Sequence, residues 1–202
     1  MLLAAAVAMS YLLGDISPAI LIGRAHGIDI KKEGSGNAGT TNVLRTLGKS
    51  AALVTLVIDI SKGLVAGFLG RLVGNVYFDG SLLPAAICAT AALAGHIWPA
   101  FFGFKGGKGV ATAFGALTAI SPALGFSALG VVALIVIITK RVSCGSVAGA
   151  AAAPFLAHIF APETTSVVVL LACIVIIKHR ANIKRMIHGE EPKLSFGKKA
   201  QG

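Results

Sequence analysis

The stretch GVATAFGALTAISPALGFSALGVVALIVIITKR, residues 109–141, decides how many times this chain crosses a bilayer. Two lysines lie shortly before it, and a Lys-Arg pair ends it. If the stretch were a single crossing, these two pairs of positive charges would face different compartments. Ser121-Pro122 predicts a turn instead, because a residue that precedes proline disfavours the helical region. Two crossings then place all four charges on the same side of the membrane.

The composition is that of an integral membrane protein. Hydrophobic residues make up 55% of the 202 residues and charged residues only 13%, about half the share usual in soluble domains. The apolar runs are helical in length, and each exceeds the ~10 residues of a membrane β-strand. We therefore predict an all-α, polytopic fold of about seven transmembrane helices, with the N-terminus outside and the C-terminus in the cytoplasm. The predicted helices cover residues 2–22, 51–73, 82–98, 110–120, 123–139, 146–160 and 166–177.

The charge distribution supports this topology. All but two of the 18 Lys and Arg residues fall on the cytoplasmic side, as the positive-inside rule requires. The exceptions are Lys62, inside the second helix, and Arg71, at its outer end. The net charge of +10 follows from the same rule and from attraction to anionic headgroups, so we expect membrane lipids and no nucleic acid as partners. Helix 110–120 is shorter than the ~17–25 residues of a crossing, so it must tilt, thin the bilayer or begin in the preceding loop.

Nothing in the sequence divides the chain. We predict one membrane-embedded domain, 1–202, whose last residues, 192–202, form a basic tail. The first apolar run lacks the basic segment of a cleavable signal peptide and is interpreted as a retained helix. The three cysteines lie in or at the edges of apolar runs without metal-ligand spacing. Neither a disulfide nor a metal or cofactor site is predicted.

Three polar clusters lie between the apolar runs, and the predicted topology places all three on the cytoplasmic side. A protein that only spans a membrane needs no such clusters. Three of them on one face predict a site for a phosphorylated, anionic substrate beside the bilayer. The clusters read GSGNAGTTNVLR (34–45), GHIWPAFFGFKGGKGVAT (95–112) and KHRANIKRMIHGEEPK (178–193).

The first cluster predicts an oxyanion site. It matches the GxGxxG dinucleotide fingerprint formally, but no βαβ unit can follow, because the next segment is a membrane helix. Glycines let backbone N–H groups point into a concave nest, and an arginine offers a two-pronged donor to phosphate. The alternative is a flexible loop, which needs glycine and asparagine but no arginine. The candidate residues are Gly34, Ser35, Gly36, Asn37, Thr41, Asn42 and Arg45.

The second cluster resembles a Walker A loop but fails its pattern. The glycine spacing is wrong, and a glycine stands where Ser or Thr should follow the lysine, so a nucleoside triphosphatase is rejected. A glycine-rich turn that leads into a helix still binds anions, because free N–H groups and the helix dipole converge there. An ordinary positive-inside loop would explain the lysines but not the glycines, and His96 is open between a structural hydrogen bond and a site role. The candidates are His96, Lys105, Gly106, Gly107, Lys108 and Gly109.

The third cluster places a histidine and an asparagine three residues apart. If the last helix continues past the membrane, His179 and Asn182 share a face and point at one pocket. Arg180 is the third candidate, and Glu190 is expected to be a structural partner of a nearby Arg or Lys. Asp59 and Lys62 form a self-neutralising pair within the second helix, with a proton or ion path as the alternative. Asp15, in the first helix, needs a partner that the sequence does not name.

Together the three clusters resemble the motifs of the bacterial acyl-phosphate:glycerol-3-phosphate acyltransferase (PlsY) family. The motifs stand here as GSGNAGTTN followed by Arg45, as GH…P…F…FKGGKGVAT at 95–112, and as HRxNIxR from His179. The resemblance extends over essentially the whole chain, and no motif position departs from the family pattern. Ala181 lies at a position that we take as variable.

The resemblance implies transfer of a fatty acyl group from acyl phosphate to the 1-hydroxyl of glycerol 3-phosphate, with lysophosphatidic acid and phosphate as products. It implies a multi-pass protein of the bacterial inner membrane whose active site faces the cytoplasm, and we expect it to act as a monomer. The glycines at 34, 36, 106, 107 and 109 would supply phosphate-binding backbone. The catalytic residues carried over by motif are Ser35, Arg45, Lys105, His179 and Asn182.

The residues favour direct transfer without an acyl-enzyme. Acyl phosphate already carries a good leaving group, and a substrate phosphate oxygen can accept the hydroxyl proton. An HxxxxD pair is absent, because Phe101 and Lys184 stand five residues after His96 and His179. A Ser–His–Asp triad lacks a credible acid among the cytoplasmic carboxylates. Two alternatives remain: a transporter of a phosphorylated solute, which would place its site near midplane, and a lipid-binding scaffold.

Overall fold

The computed structural model describes residues 1–194, so most of the predicted basic tail lies outside the described residues. All regular structure within 1–194 is helical, which confirms the predicted fold class. Short 3-10 turns follow α5 and precede α9. The helices are α1 Leu2–Asp15, α2 Pro18–Ala25, α3 Thr40–Thr46, α4 Lys49–Tyr77, α5 Leu83–Ile97, α6 Val110–Ile120, α7 Pro122–Thr139, α8 Val142–Phe160, α9 Thr165–Lys178 and α10 Arg180–Ile187.

Within residues 1–194, five helical segments are long and apolar enough to cross a membrane: α1 with α2, α4, α5, α7 and α8. The pair α9 and α10 makes a sixth if it is counted as one span, although the two helices are bent by 59°. Helix α6 has only 11 residues and is a shorter apolar helix. The chain is therefore a polytopic helical protein, while the seventh crossing and the orientation of the termini stay predictions.

The sequence predicted one continuous helix for the first apolar run, but the structure has two helices there. The run breaks at Ile16 and Ser17, and Pro18 begins α2. Proline is tolerated at that first position because its missing N–H would have no partner there. The break leaves the carbonyl oxygen of Ile16 outside the helical hydrogen bonds, and Lys62 of α4 donates to it at 2.7 Å. A buried lysine therefore repairs the interruption of the first crossing.

Glycines allow the central helices to pack backbone against backbone. A Cβ atom at Gly63 of α4 would overlap the carbonyl of Thr112, and one at Gly115 of α6 would overlap the carbonyl of Ile60. Small residues of this kind are the usual means by which membrane helices approach closely, because lipid offers no hydrophobic drive for association. Helices α4 and α6 consequently lie in direct backbone contact.

Hydrogen bonds between loops show which loops lie together at each end of the bundle. At one end, Lys31, which lies shortly before the first cluster, donates to the carbonyl of Phe102 in the second cluster at 2.8 Å. At the opposite end, Glu163 accepts hydrogen bonds from Ser81 Oγ at 2.7 Å and from the N–H of Leu82 at 3.0 Å. The polar clusters of the sequence therefore meet at a single end of the fold.

The contact between α4 and α6 predicts a contrast between two glycines. Gly115→Ala should destabilise the protein by about 1–3 kcal/mol, since the added methyl group meets backbone that cannot yield. Gly130, on α7, has open space around the position of a Cβ atom and provides the matched control. Gly130→Ala should leave stability unchanged or raise it slightly. Thermal unfolding of the purified variants in detergent measures both, and equal midpoints would contradict the packing.

Candidate active site

A cavity of about 1070 Å³ opens at the end of the bundle where the clusters meet. Its mouth is polar, and its deeper part is an apolar groove between α6, α7, α8 and α9. The predicted site residues that line it are Gly34, Ser35, Asn37, Thr41, Asn42, Arg45, His96, Lys108, Gly109, His179 and Asn182. The predicted residues that do not line it are Gly36, Lys105, Gly106, Gly107 and Arg180.

Asn42 holds the loop of the first cluster together. Its side-chain oxygen accepts the N–H of Ser35 at 2.8 Å, and its side-chain nitrogen donates to the carbonyls of Ile30 and Glu33 at 3.1 and 3.0 Å. Gly34 has a φ of +55°, and a Cβ atom there would overlap the Asn42 side chain. Asn42 is almost fully buried. Asn42 was predicted to bind substrate, but its side-chain amide instead holds the loop around Ser35 through these hydrogen bonds.

Arg45 stands exposed at the mouth of the cavity, on the last turn of α3. Among residues 1–194, no carboxylate lies within salt-bridge distance of it. Its guanidinium therefore keeps its donors available for an anion in the cavity. A planar guanidinium binds phosphate through two parallel hydrogen bonds, which is the geometry a phosphate monoester offers.

Two of the three candidate glycines of the second cluster do not have the role that the sequence predicted, whereas the third, Gly109, lines the cavity. The N–H groups of Gly106 and Gly107 donate to the carbonyls of Ile97 and His96 at 3.1 and 3.2 Å, so these two N–H groups are not aimed at phosphate. A Cβ atom at Gly107 would overlap Nε2 of His96 and the carbonyl of Ala38. Glycine is therefore required here because the turn lies directly on the histidine ring and against the first cluster.

Lys108, rather than Lys105, is the lysine of this turn that reaches the cavity. Lys105 is exposed and lies outside the lining, whereas the ammonium of Lys108 donates to the side-chain oxygen of Asn182. Burial is the main cause that lowers the pKa of Lys108 to about 8. Glu191 raises this pKa, while the nearby cations, among them Arg45, lower it further. The mouth therefore carries clustered positive charge that an anionic ligand would stabilise.

The third cluster turns at His179, where α9 ends and α10 begins. His179 Nδ1 lies 2.8 Å from the carbonyl oxygen of Val175. A carbonyl only accepts, so Nδ1 carries the proton, and Nε2 of the neutral ring keeps a lone pair. His179 and Asn182 are both buried and line the cavity, as their spacing predicted, whereas Arg180 is exposed.

Glu191 is the acidic centre of the mouth, and the sequence analysis missed it. Its carboxylate accepts from Ser143 at 2.7 Å, from Asn182 at 2.6 Å and from Arg185 at 2.7 Å. Burial opposes its charge, but these three hydrogen bonds outweigh burial and hold the pKa of Glu191 below its usual value. The expectation for Glu190 was wrong, because that residue is exposed and its neighbour makes the contacts. Asn182 is thereby fixed between Glu191 and Lys108.

A buried ionic group lies beneath the mouth. Asp59 of α4 is 2.9 Å from Lys62 and 3.3 Å from His96 Nδ1. The three side chains are buried, and both Asp59 and His96 line the cavity. The predicted Asp59–Lys62 pair is present, and His96 is its third member. Asp15, also buried, accepts the N–H of Phe101 at 3.3 Å, so its partner is backbone rather than a basic side chain.

The comparisons with known proteins agree with this architecture. The family profile of glycerol-3-phosphate acyltransferase matches residues 4–189. A glycerol-3-phosphate acyltransferase of Clostridioides difficile is 43% identical over 188 residues, which are 92% of each chain. One of Neisseria meningitidis is 42% identical over 192 residues, 94% of this chain and 96% of that one.

Solved structures give the same result. The crystal structure of PlsY, an integral membrane glycerol 3-phosphate acyltransferase, matches in its glycerol 3-phosphate form with a TM-score of 0.88. Sequence identity is 31%, and the match covers 96% of both chains. The lysophosphatidic acid form of the same protein gives a TM-score of 0.85.

A helical membrane bundle whose cavity joins a cationic mouth to an apolar groove defines an integral membrane protein with a site that suits amphiphilic anions. The chain belongs to the glycerol-3-phosphate acyltransferase family, the family of PlsY.

The contacts of Glu191 predict a pH-dependent difference between two neighbouring glutamates. Because the folded pKa of Glu191 lies below its unfolded value, its charge stabilises the fold above about pH 4.5, and this contribution is lost as the pH falls through the folded pKa. Glu191→Gln should lower the free energy of unfolding at neutral pH by about 1–3 kcal/mol.

Glu190→Gln is the control, since its side chain is exposed. Thermal unfolding in detergent from neutral pH to about pH 4 should show the Glu191→Gln deficit shrinking on acidification. A deficit of equal size in both variants would argue against the network.

Proposed function

We propose that this acyltransferase uses acyl phosphate as its donor and acylates the 1-hydroxyl of glycerol 3-phosphate. The products are lysophosphatidic acid and inorganic phosphate, as a step of phospholipid synthesis. One observation carries the proposal: a single cavity joins a mouth that holds Arg45 and Lys108 to an apolar groove between four helices. Such a cavity suits a donor with a phosphate at one end and a fatty chain at the other, beside a second phosphorylated substrate.

In the proposed reaction the 1-hydroxyl oxygen attacks the acyl carbonyl carbon. The bond between that carbon and the bridging phosphate oxygen breaks, and the phosphate leaves with the electron pair. The hydroxyl proton passes to a phosphate oxygen, so no base of the protein is consumed. Arg45 and Lys108 neutralise the phosphates, and Ser35 orients a phosphate or the attacking hydroxyl. Positioning and electrostatic stabilisation supply the rate.

His179 and Asn182 are assigned to glycerol 3-phosphate. The free lone pair of His179 Nε2 can accept a hydrogen bond from a glycerol hydroxyl, and Asn182 is held rigidly by Glu191. Lys105, outside the cavity, is left with the task of attracting anions to the mouth. We retain it as a candidate for that role.

The buried Asp59–His96 pair favours a second mechanism that the sequence argument overlooked. It supplies the acid and base of a triad, with Ser35 as the nucleophile and an acyl-Ser35 intermediate. Within residues 1–194, however, Ser35 makes no side-chain hydrogen bond to His96, and the His96 ring lies against Gly107. Direct transfer therefore stays our proposal. Acid quench followed by mass spectrometry of the Ser35 peptide decides, because a trapped acyl-serine would refute direct transfer.

The topology completes the proposal. We propose seven crossings, with α6 as the fourth, an outer N-terminus, a cytoplasmic C-terminus and a mouth that opens to the cytoplasm. We propose one functional unit of residues 1–202 that acts as a monomer in the bacterial inner membrane.

The first experiment measures phosphate release from palmitoyl phosphate by the purified protein, with and without glycerol 3-phosphate. Release should require glycerol 3-phosphate and yield lysophosphatidic acid. Loss of about 100-fold or more is expected for Arg45→Ala, since it removes a charge-assisted pair from the transition state. No release by folded protein would redirect the proposal to a transporter, which liposome uptake of a phosphorylated solute would then test.

Arg24→Ala is the matched control for Arg45→Ala. Arg24 belongs to the same face but lies over the ring of Phe102, 5.5 Å from its centre, and does not line the cavity. Both variants lose one positive charge. Equal losses would mean that overall charge, rather than a phosphate contact of Arg45, supports the reaction.

The pKa of Lys108 predicts the alkaline limb of the pH profile. Lysine is charged below its pKa, so kcat/KM for glycerol 3-phosphate should fall as the pH rises through about 8. Lys108→Arg should move this limb upward, because guanidinium stays charged. Lys105→Arg should leave it in place. The initial rates need correction for spontaneous acyl phosphate hydrolysis, and an unmoved limb in Lys108→Arg would assign the titration to another group.

A further inference from the structure

The apolar groove ends within the bundle. Along α8, the residues that line it begin at Val142 and stop at Ala153. Eleven residues of α-helix at ~1.5 Å each give a depth of about 16 Å from the mouth. On the facing side, Leu117 of α6 is the deepest lining residue. The lining residues of the cavity on α6 and α8 therefore end at the level of Leu117 and Ala153.

A packed wall lies just beyond that floor. Ala153 and Leu117 belong to a core cluster that also contains Ile120, Leu124 and Ala157. The exposed fraction of these last three residues is at most 1%, and none of them lines the cavity. Close-packed interiors yield little to an added group, so a guest chain cannot extend past this level without displacing core side chains.

We propose that this wall sets the acyl-chain preference of the enzyme, with Ala153 and Leu117 as its specificity-determining residues. The inference rests on the proposed function, since it takes the fatty chain of acyl phosphate as the occupant. That choice follows from continuity, because the groove begins at the same mouth that holds Arg45 and Lys108. A chain that reaches the wall buries all its methylenes, and each buried methylene adds to binding. A longer chain must bend or leave the groove.

The decisive variant is Ala153→Leu, which raises the floor. It should lower kcat/KM for palmitoyl phosphate relative to lauroyl phosphate by about ten-fold or more, because several methylenes lose their place. Ala151→Leu makes the same change two residues away on the exposed face of α8 and should leave the ratio unaltered. The donors are presented in mixed detergent micelles at equal mole fraction, and the KM for glycerol 3-phosphate is measured alongside.

Leu117→Ala tests the same floor in the opposite direction. Shortening this side chain deepens the groove, so the ratio of stearoyl to palmitoyl phosphate use should rise. Two substitutions that move chain preference in opposite directions cannot both result from loss of folding, which lowers all rates together.

The outcomes separate the inference from the proposed function. If the unaltered protein does not acylate glycerol 3-phosphate with any acyl phosphate, the proposed function fails. If it does, but Ala153→Leu leaves the chain-length ratio unchanged or lowers all donors equally, the wall does not measure the chain. An unchanged ratio at undiminished rates would mean that the acyl chain leaves the groove for the bilayer. An equal loss of rate with every donor would mean that Ala153 contributes only to packing.

Discussion

The rest of the structure depends on the contacts that the buried carboxylate of Asp59 makes with two neighbouring side chains. A charge buried in a membrane bundle is expensive unless it is paired, and Asp59 pairs with Lys62 and His96. Lys62 in turn caps the broken first crossing at Ile16, and His96 supports the turn at Gly107. One buried group thereby joins α1, α4, α5 and the second cluster. The mouth of the cavity is built directly on it.

The site separates its two kinds of chemistry by depth. Positive charge collects at the mouth, where Arg45 and Lys108 face the cavity. Glu191 raises the pKa of Lys108, and its own ion pair is with Arg185. Below the mouth, small and aliphatic side chains of α6 to α9 line the groove. In our proposal, a polar head and an apolar chain are bound by two different forces, electrostatic attraction and burial of apolar surface. The scissile acyl phosphate bond of the proposed donor then lies at the boundary between them.

Rigidity at the mouth comes from groups that do not themselves bind the substrate in our proposal. Asn42 spends its amide on the first loop, and Glu191 fixes Asn182 against Lys108. The second turn satisfies its own backbone through His96 and Ile97. Preorganised donors need no rearrangement when charge develops, which is the main means by which such sites accelerate a reaction.

The sequence by itself determined the helical membrane class, the meeting of three clusters and the family, because hydropathy and motif spacing are local properties of the chain. It also paired His179 with Asn182 by their three-residue spacing, although the last helix does not continue through His179: this residue stands between α9 and α10, directly before the helix that carries Asn182. Only the tertiary structure selected Lys108 over Lys105, Glu191 over Glu190, and Asp59 with His96 as one buried group. Those choices depend on which side chains distant helices bring within a few ångströms, and on where packing closes the groove. No local sequence pattern records which distant side chains meet or where the groove ends.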